Sequence, residues 1–361
     1  MTLRGATPAV VRTAIDEQTP LPGGRGFAGV CDGRLVRDVL GREPLFIDMT
    51  ASTDGRPEWA FTPTALDQPQ RFPAGAVGWA DPTQHWTLPT DRESATAPID
   101  TLKQAIQAAL ADLPTDVPVA FSGGVDSGLI ASATDGPLFV AGFPESHDLE
   151  AARAGAEALN RSLTVCRFDH DQLREAATTV ARATGRTNAM DVAIATPLYL
   201  TAKRVAEAGF DRLAVGQGAD ELFGGYAKVA KAPTDPRVEA DTVRGARDEL
   251  LRTLPAQLER DVLAIRAAGV EPVTPLLDDR VVRAALALPE AHLVAGDRRK
   301  VGLREAVTGW VPESIRIRDK KALQYGTYAS RELDRLARQA GFKRRMDDHV
   351  TKYLESLIAE A

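Results

Sequence analysis

VPVAFSGGVDSGLIASA, residues Val117–Ala133, is the stretch on which the reading of this chain turns. It opens with a short apolar run, Val117–Phe121, suited to a strand buried in a parallel sheet, and it closes on Gly128–Ala133, where a helix begins. Between them lies Ser122-Gly123-Gly124-Val125-Asp126-Ser127. Two adjacent glycines let the backbone approach a ligand closely. The turn offers N–H groups and two serine hydroxyls at the positive end of a helix, a setting in which proteins hold phosphate. Asp126 does not belong in a plain anion cradle. It makes sense if a Mg²⁺ ion offsets the phosphate charge and needs an oxygen ligand. No GKS or GKT follows, so the loop is not a Walker A sequence, and its glycines are not spaced as GxGxxG.

Outward from this loop the chain alternates. Ile99, Leu102, Ile106, Ala109, Leu110 and Leu113 fall three or four apart and predict a helix that Pro114 ends. Downstream, Leu138–Phe143, Leu163–Phe168 and Arg212–Val215 read as strands, with helices over Leu149–Leu159 and Pro197–Ala208. The pattern predicts an α/β fold with a doubly wound, mostly parallel sheet. After about Arg237 strand signals fade, and Arg244–Ile265, Asp279–Leu288 and Val301–Thr308 read as a helical C-terminal part. Residues 1–92 are rich in Gly, Pro and Thr, with apolar runs at Pro44–Ile47 and Trp59–Phe61 and turns at Asp54-Gly55 and Pro73-Ala74-Gly75. They read as a small β-rich domain joined through a polar linker, Asp81–Pro98, to a second domain over 93–361.

A second glycine-rich loop follows the strand Arg212–Val215. In Gly216-Gln217-Gly218-Ala219-Asp220-Glu221-Leu222-Phe223-Gly224-Gly225-Tyr226, four glycines bracket two carboxylates at the edge where open α/β sheets bind ligands. Asp126 and Asp220, from separate strand ends, are thereby placed to share one Mg²⁺.

Ser-Gly-Gly-x-Asp-Ser resembles the pyrophosphate loop of the PP-loop ATP pyrophosphatases, a HUP-like fold that cleaves ATP between the α and β phosphates. With the second loop, the chain resembles the synthetase domain of the asparagine synthetase family and its relatives, the β-lactam synthetases. Further segments carry the resemblance in order over roughly 100–330: Gly142–Leu159, Thr196–Leu200, Pro275–Asp278, Lys300-x-x-Leu303-Arg304 and Arg318-Asp319-Lys320. It implies ATP and Mg²⁺ as cofactors. Ser122, Gly123, Gly124, Asp126 and Ser127 would hold the phosphates, Asp126 and Asp220 the metal, and the backbones of Phe121, Ala141, Val215 and Gly216 the adenosine. It gives catalytic roles to Lys320, Gln217 and Glu221, with Lys320 over the α-phosphate, where a fixed ammonium stabilises developing charge. Asp278 and Lys300 stand at substrate positions. Gln217 departs from the family pattern, which carries glutamate there.

The implied reaction is AMP-forming amide synthesis, most simply aspartate plus ammonia to asparagine through a β-aspartyl adenylate. Alternatives are another carboxylate, a nucleotide-binding relative without synthetase activity, or a tRNA-modifying PP-loop enzyme. Near the start, Gly33–Ile47 resembles the RDxxGxxPLY stretch of class II glutamine amidotransferase domains, and Arg71–Gly75 the FPPG that follows it. Thr2 follows Met1, and Cys31 is internal with no free α-amine to serve as its base, so the expectation is a truncated amidotransferase-like segment without a nucleophile. That leaves room for a separate glutaminase as partner, and for a homo-oligomer.

Composition narrows the rest. A net charge of −6 argues against nucleic acid as partner. No apolar run reaches the roughly 18 residues of a membrane span, and the N-terminus has no secretory apolar core, so the expectation is a cytoplasmic protein. Cys31 and Cys166 are far apart, and the five histidines are scattered with no HExxH spacing, so neither a zinc site nor a disulfide framework is expected.

Overall fold

A computed structural model describes residues 2–53, 56–89, 96–232, 240–319, 325 and 327–360. The chain forms two units: residues 114–215, 260–273 and 310–361 make one, and residues 1–113, 216–259 and 274–309 make the other.

The first unit is built on five parallel strands: β1 (Val119–Ala120), β2 (Leu138–Gly142), β3 (Leu163–Arg167), β4 (Arg212–Ala214) and β5 (Glu271–Val273). Their order is β3-β2-β1-β4-β5, with parallel pairing throughout. The order reverses between β1 and β4, the place where open α/β sheets bind ligands at their carboxyl ends. The doubly wound α/β reading therefore holds.

The elements differ from expectation in instructive ways. β1 is only two residues because Pro118 has no N–H to give, although Phe121 still donates to the Phe139 carbonyl at 2.7 Å. β5 lies in the region where strand signals fade. It is three residues, Glu271-Pro272-Val273, at the sheet's edge, where a proline is tolerated. The helix expected from Pro197 starts eight residues earlier, at Ala189, with Asn188 as its cap. Residues Val192, Ala193 and Ala195–Ala202 are all buried, and that packing outweighs the cost of Pro197 inside the helix. The helix His170–Thr184, unmarked in the sequence reading, begins with a capping box of Asp169 and Gln172. Helices Ala329–Gln339 and His349–Glu360 close the chain and add Leu333, Tyr353 and Leu354 to the core around Ala141, Phe143, Phe168 and Tyr199.

The second unit contains the N-terminal segment as two small antiparallel sheets over Ala28, Leu35, Leu45, Ile47, Phe72 and Ala76. The turn at Pro73-Ala74-Gly75 is present, and Gly75 has φ +75°. Asp54-Gly55 lies outside the described residues. The segment is bound to later helices of the same unit through buried charge. Arg37 is fully buried, donates to the carbonyls of Gly41, Glu43 and Phe72, and lies 3.7 Å from Glu259 in the helix Val243–Arg266. Arg71 grips the same carboxylate with two nitrogens, at 2.6 and 2.8 Å. Arg42 joins Asp38 at 2.8 Å and Asp279 at 2.6 Å and donates to the Leu277 carbonyl. Among the described residues, no helix is long and apolar enough to cross a membrane.

Candidate active site

The loop Ser122–Ser127 runs from β1 into the helix Val125–Ala131, all of whose residues are buried. Its shape depends on Gly123, which has φ +73°. A Cβ there would lie 2.2 Å from the Ala151 carbonyl oxygen, in the helix His147–Ala158. Gly155, one turn further along the same face of that helix, meets the loop too, since its Cβ would fall 3.0 Å from both the Gly123 Cα and the Phe121 ring. Helix and loop therefore touch backbone to backbone. The Ser127 hydroxyl accepts from the Ser122 N–H at 3.2 Å, lies 3.3 Å from the Ser122 hydroxyl and donates to the Gly124 carbonyl. Asp126 is buried at the first turn of the helix. The first N–H groups of a helix have no acceptor within it, so the loop aims donors outward. Phe121, Ala141 and Val215, at the ends of β1, β2 and β4, are buried. Arg318 donates to the Ala151 carbonyl at 2.8 Å, which sets a guanidinium beside the loop. Lys320, the expected catalytic lysine, lies outside the described residues.

In the second unit, the loop Gly216–Tyr226 turns tightly at Gly218, whose φ is +83° and whose Cβ would strike the Leu277 side chain at 2.2 Å. A single helical turn, Ala219–Leu222, carries Asp220 and Glu221. Asp220 and Lys300, named separately in the sequence, come together here with Nζ 2.6 Å from Oδ1. Glu221 is buried and accepts from the Tyr226 hydroxyl at 2.6 Å. Burial, and then the neighbouring Asp220 charge, push its carboxyl up to about 6. The Gln217 side-chain oxygen is buried with no hydrogen-bond partner among the described residues. A buried acceptor left without a donor is costly, so this oxygen suits a ligand that brings an N–H or O–H group. Asp278 is committed to the fold: it accepts from the Arg280 backbone N–H at 2.9 Å, capping a helix, and from the Arg280 guanidinium at 2.8 and 2.9 Å.

Tyr226 and Gly225 are site features to which the sequence reading gave no role. Both were visible in the loop, but their work depends on folded neighbours. A Cβ at Gly225 would fall 2.0 Å from Asp220 Oδ1 and 2.4 Å from Lys300 Cε, so only glycine leaves room for that ion pair.

The residues fit ATP and Mg²⁺. Gly123 at φ +73° lets the loop lie against the backbone of the helix His147–Ala158 while the buried Asp126 and the hydroxyls of Ser122 and Ser127 supply polar groups of the kind such a ligand needs. Among the described residues, no three or more His, Cys, Asp or Glu side chains gather as a metal site. Mg²⁺ in nucleotide sites uses one or two carboxylates and takes its other ligands from phosphate and water. Cys31 fits no catalytic role: it is buried in a strand, its thiol donates to the Pro8 carbonyl at 3.7 Å, and burial, followed by the Asp32 charge, raises its pKa.

A parallel sheet of this order with a Ser-Gly-Gly-x-Asp-Ser loop after its central strand defines a PP-loop nucleotide-binding unit. The sequence profile of the asparagine synthase family matches residues 100–252 and 233–358, and the chain belongs to that family. It is 28% identical over 277 residues to a Methanocaldococcus jannaschii protein named as a glutamine-hydrolysing asparagine synthetase, covering 66% of this chain and 51% of that one. To asparagine synthetase B of Escherichia coli it is 29% identical over 252 residues, covering 62% and 44%. To asparagine synthetase 3 of Arabidopsis thaliana it is 26% identical over 333 residues, covering 81% and 56%. The chain thus spans about half the length of the curated relatives it matches.

Proposed function

We propose that this chain is a carbon–nitrogen ligase that makes an amide bond at the expense of ATP, releasing AMP and pyrophosphate. In its simplest form the substrates are aspartate and ammonia and the product is asparagine. The Ser122–Ser127 loop carries the reading: a phosphate cradle of PP-loop type, with a buried aspartate, in a chain of the asparagine synthase family. A substrate carboxylate oxygen attacks the α-phosphorus, and pyrophosphate leaves with the P–O bonding pair. The amine nitrogen then attacks the acyl carbon of the adenylate, loses a proton, and AMP departs. Loop residues Ser122–Ser127 hold the phosphates, and Asp126 and Asp220 are the carboxylates given to Mg²⁺, which offsets phosphate charge when bound. The resemblance alone gives Lys320 its place over the α-phosphate.

Gln217 favours a particular second step. Its amide cannot take a proton near neutral pH, but its unpartnered oxygen can accept a hydrogen bond from an incoming amine and orient it. Ammonia that arrives neutral needs orientation more than deprotonation. Gln217→Glu is therefore expected to change the amide-forming rate by less than about tenfold, against the 10²-fold or more of a missing base. Gln217→Ala should keep AMP release while diverting the adenylate to hydrolysis. If Gln217→Glu switches on a synthesis absent from the wild type, the chain is a nucleotide-binding relative that has lost the reaction.

Incubation with ATP, Mg²⁺, ammonium and a panel of carboxylates, with amides read by mass spectrometry, identifies the acceptor. No amide from any carboxylate, aspartate included, refutes the proposal. The same assay tests Cys31: Cys31→Ser should leave the ammonium-dependent rate unchanged, and no glutamate should be released from glutamine by the purified chain. A thiol-dependent glutaminase activity would contradict this.

A further inference from the structure

We propose that Arg318 binds the pyrophosphate end of the nucleotide at the Ser122–Ser127 loop, supplying a cation that the loop itself lacks. The inference rests on the reading of that loop as a phosphate cradle, and every group it uses lies within the first unit.

Ser122-Gly123-Gly124-Val125-Asp126-Ser127 offers N–H groups, hydroxyls and one carboxylate, but no lysine or arginine. Pyrophosphate carries more negative charge than one Mg²⁺ offsets when a carboxylate is already among its ligands. Such a site calls for a fixed cation.

The fold delivers one from the far end of the chain. A Cβ at Gly128, in the helix that follows the loop, would meet Ile315 Cγ2 at 2.7 Å and Val311 Cγ1 at 3.3 Å, so both buried side chains seat on the backbone of that helix. The short helix Glu313–Arg316 ends at Ile317, and the Arg318 N–H donates to the Ile315 carbonyl at 3.3 Å. The Arg318 guanidinium then reaches the other helix beside the loop, His147–Ala158, and donates to the Ala151 carbonyl at 2.8 Å. That oxygen is the one that denies Gly123 a side chain, at 2.2 Å from where its Cβ would lie. One carbonyl thus joins the guanidinium to the turn of the loop.

A guanidinium presents its N–H donors as a planar fork that matches phosphate oxygens, and the bond to Ala151 fixes where the fork lies. Phe121, Ala141 and Val215, the residues given to the adenosine, stand at strand ends, whereas Ala151 lies on a helix that flanks the loop. The cation therefore serves the phosphates. It forms charge-assisted hydrogen bonds with their oxygens and stabilises the charge that builds on pyrophosphate as the P–O bond breaks.

The test is calorimetric titration of the full chain with magnesium pyrophosphate and, separately, with AMP. Wild-type chain should bind both. Arg318→Met should weaken pyrophosphate by about tenfold or more, the scale of a hydrogen bond to a charged group, and leave AMP unchanged. Arg318→Lys, which keeps the charge and loses the fork, should recover part of that loss. Arg316→Gln, on the same short helix but 3.6 Å from Glu313, should match wild type with both ligands. Arg318→Gln replaces the methionine variant if that one fails to fold. A role confined to holding the Ala151 carbonyl would weaken both ligands alike or neither, and either result overturns the inference. If the wild-type chain binds neither pyrophosphate nor ATP, the phosphate-cradle reading itself falls, and this inference with it.

Discussion

Replacing Asp126 or Asp220 with asparagine is expected to lower amide-forming turnover by roughly 10³-fold or more, because a metal ligand contributes several kcal/mol of transition-state charge stabilisation. The substitution is isosteric, which matters most at Asp126, buried inside a helix with no exposed residue. Asparagine preserves the volume and removes the charge, so circular dichroism and melting temperature should change little while single-turnover AMP formation collapses. At Asp220 a second effect accompanies the first, because Lys300 loses the carboxylate that faces it at 2.6 Å. A chain with both aspartates neutralised that still turned over near the wild-type rate would remove the metal from the account.

The second large effect concerns stability and lies outside the site. Glu259→Ala should lower the unfolding free energy by about 3–5 kcal/mol, the usual cost of leaving a buried charge without its counter-ion. The stranded group is Arg37, wholly buried and held by three carbonyls that satisfy its N–H groups without balancing its charge. Burial lowers the pKa of this guanidinium, and Glu259 is the largest influence opposing that. Arg71→Ala serves as the control. Arg71 is 44% exposed, so its loss should cost about 1 kcal/mol or less, since water screens it and Glu259 keeps Arg37. Urea midpoints measure both. Equal small shifts for the two variants would show that Glu259 is dispensable and that the carbonyls alone suffice for Arg37.

Much of the fold was legible because its signals are local. Val117–Ala133 carries an apolar run, a glycine turn and a helix start in seventeen consecutive residues, and the structure has a strand, a loop and a helix there. β2 and β3 are five-residue strands and β4 a three-residue one, each within a residue of where the pattern put it. Elements held by distant neighbours were harder to see. β5 is three residues with a proline, and its pairing with β4 gives it away only after folding. Pro197 looks like a helix start in sequence, but burial carries the helix through it.

The candidate site divides in the same way. The residue types of both glycine-rich loops could be read directly, since Gly123 and Gly218 are needed for positive φ and close approach. The pairing of Lys300 with Asp220, the clearance at Gly225, and the engagement of Glu221 by Tyr226 join side chains whose roles no spacing rule predicts. Asp278 shows the converse. The sequence marks it as a substrate position, while its oxygens are occupied by Arg280.

The most direct test of the central claim is isotope exchange between labelled pyrophosphate and ATP, measured with Mg²⁺ and the acceptor carboxylate but without an amine. An adenylate-forming enzyme runs its first half-reaction backwards, so label should enter ATP only when the carboxylate is present, and adding ammonium should draw the adenylate on to amide and AMP. Label entering ATP regardless of carboxylate, or ADP and phosphate as the products with ammonium, would contradict the account.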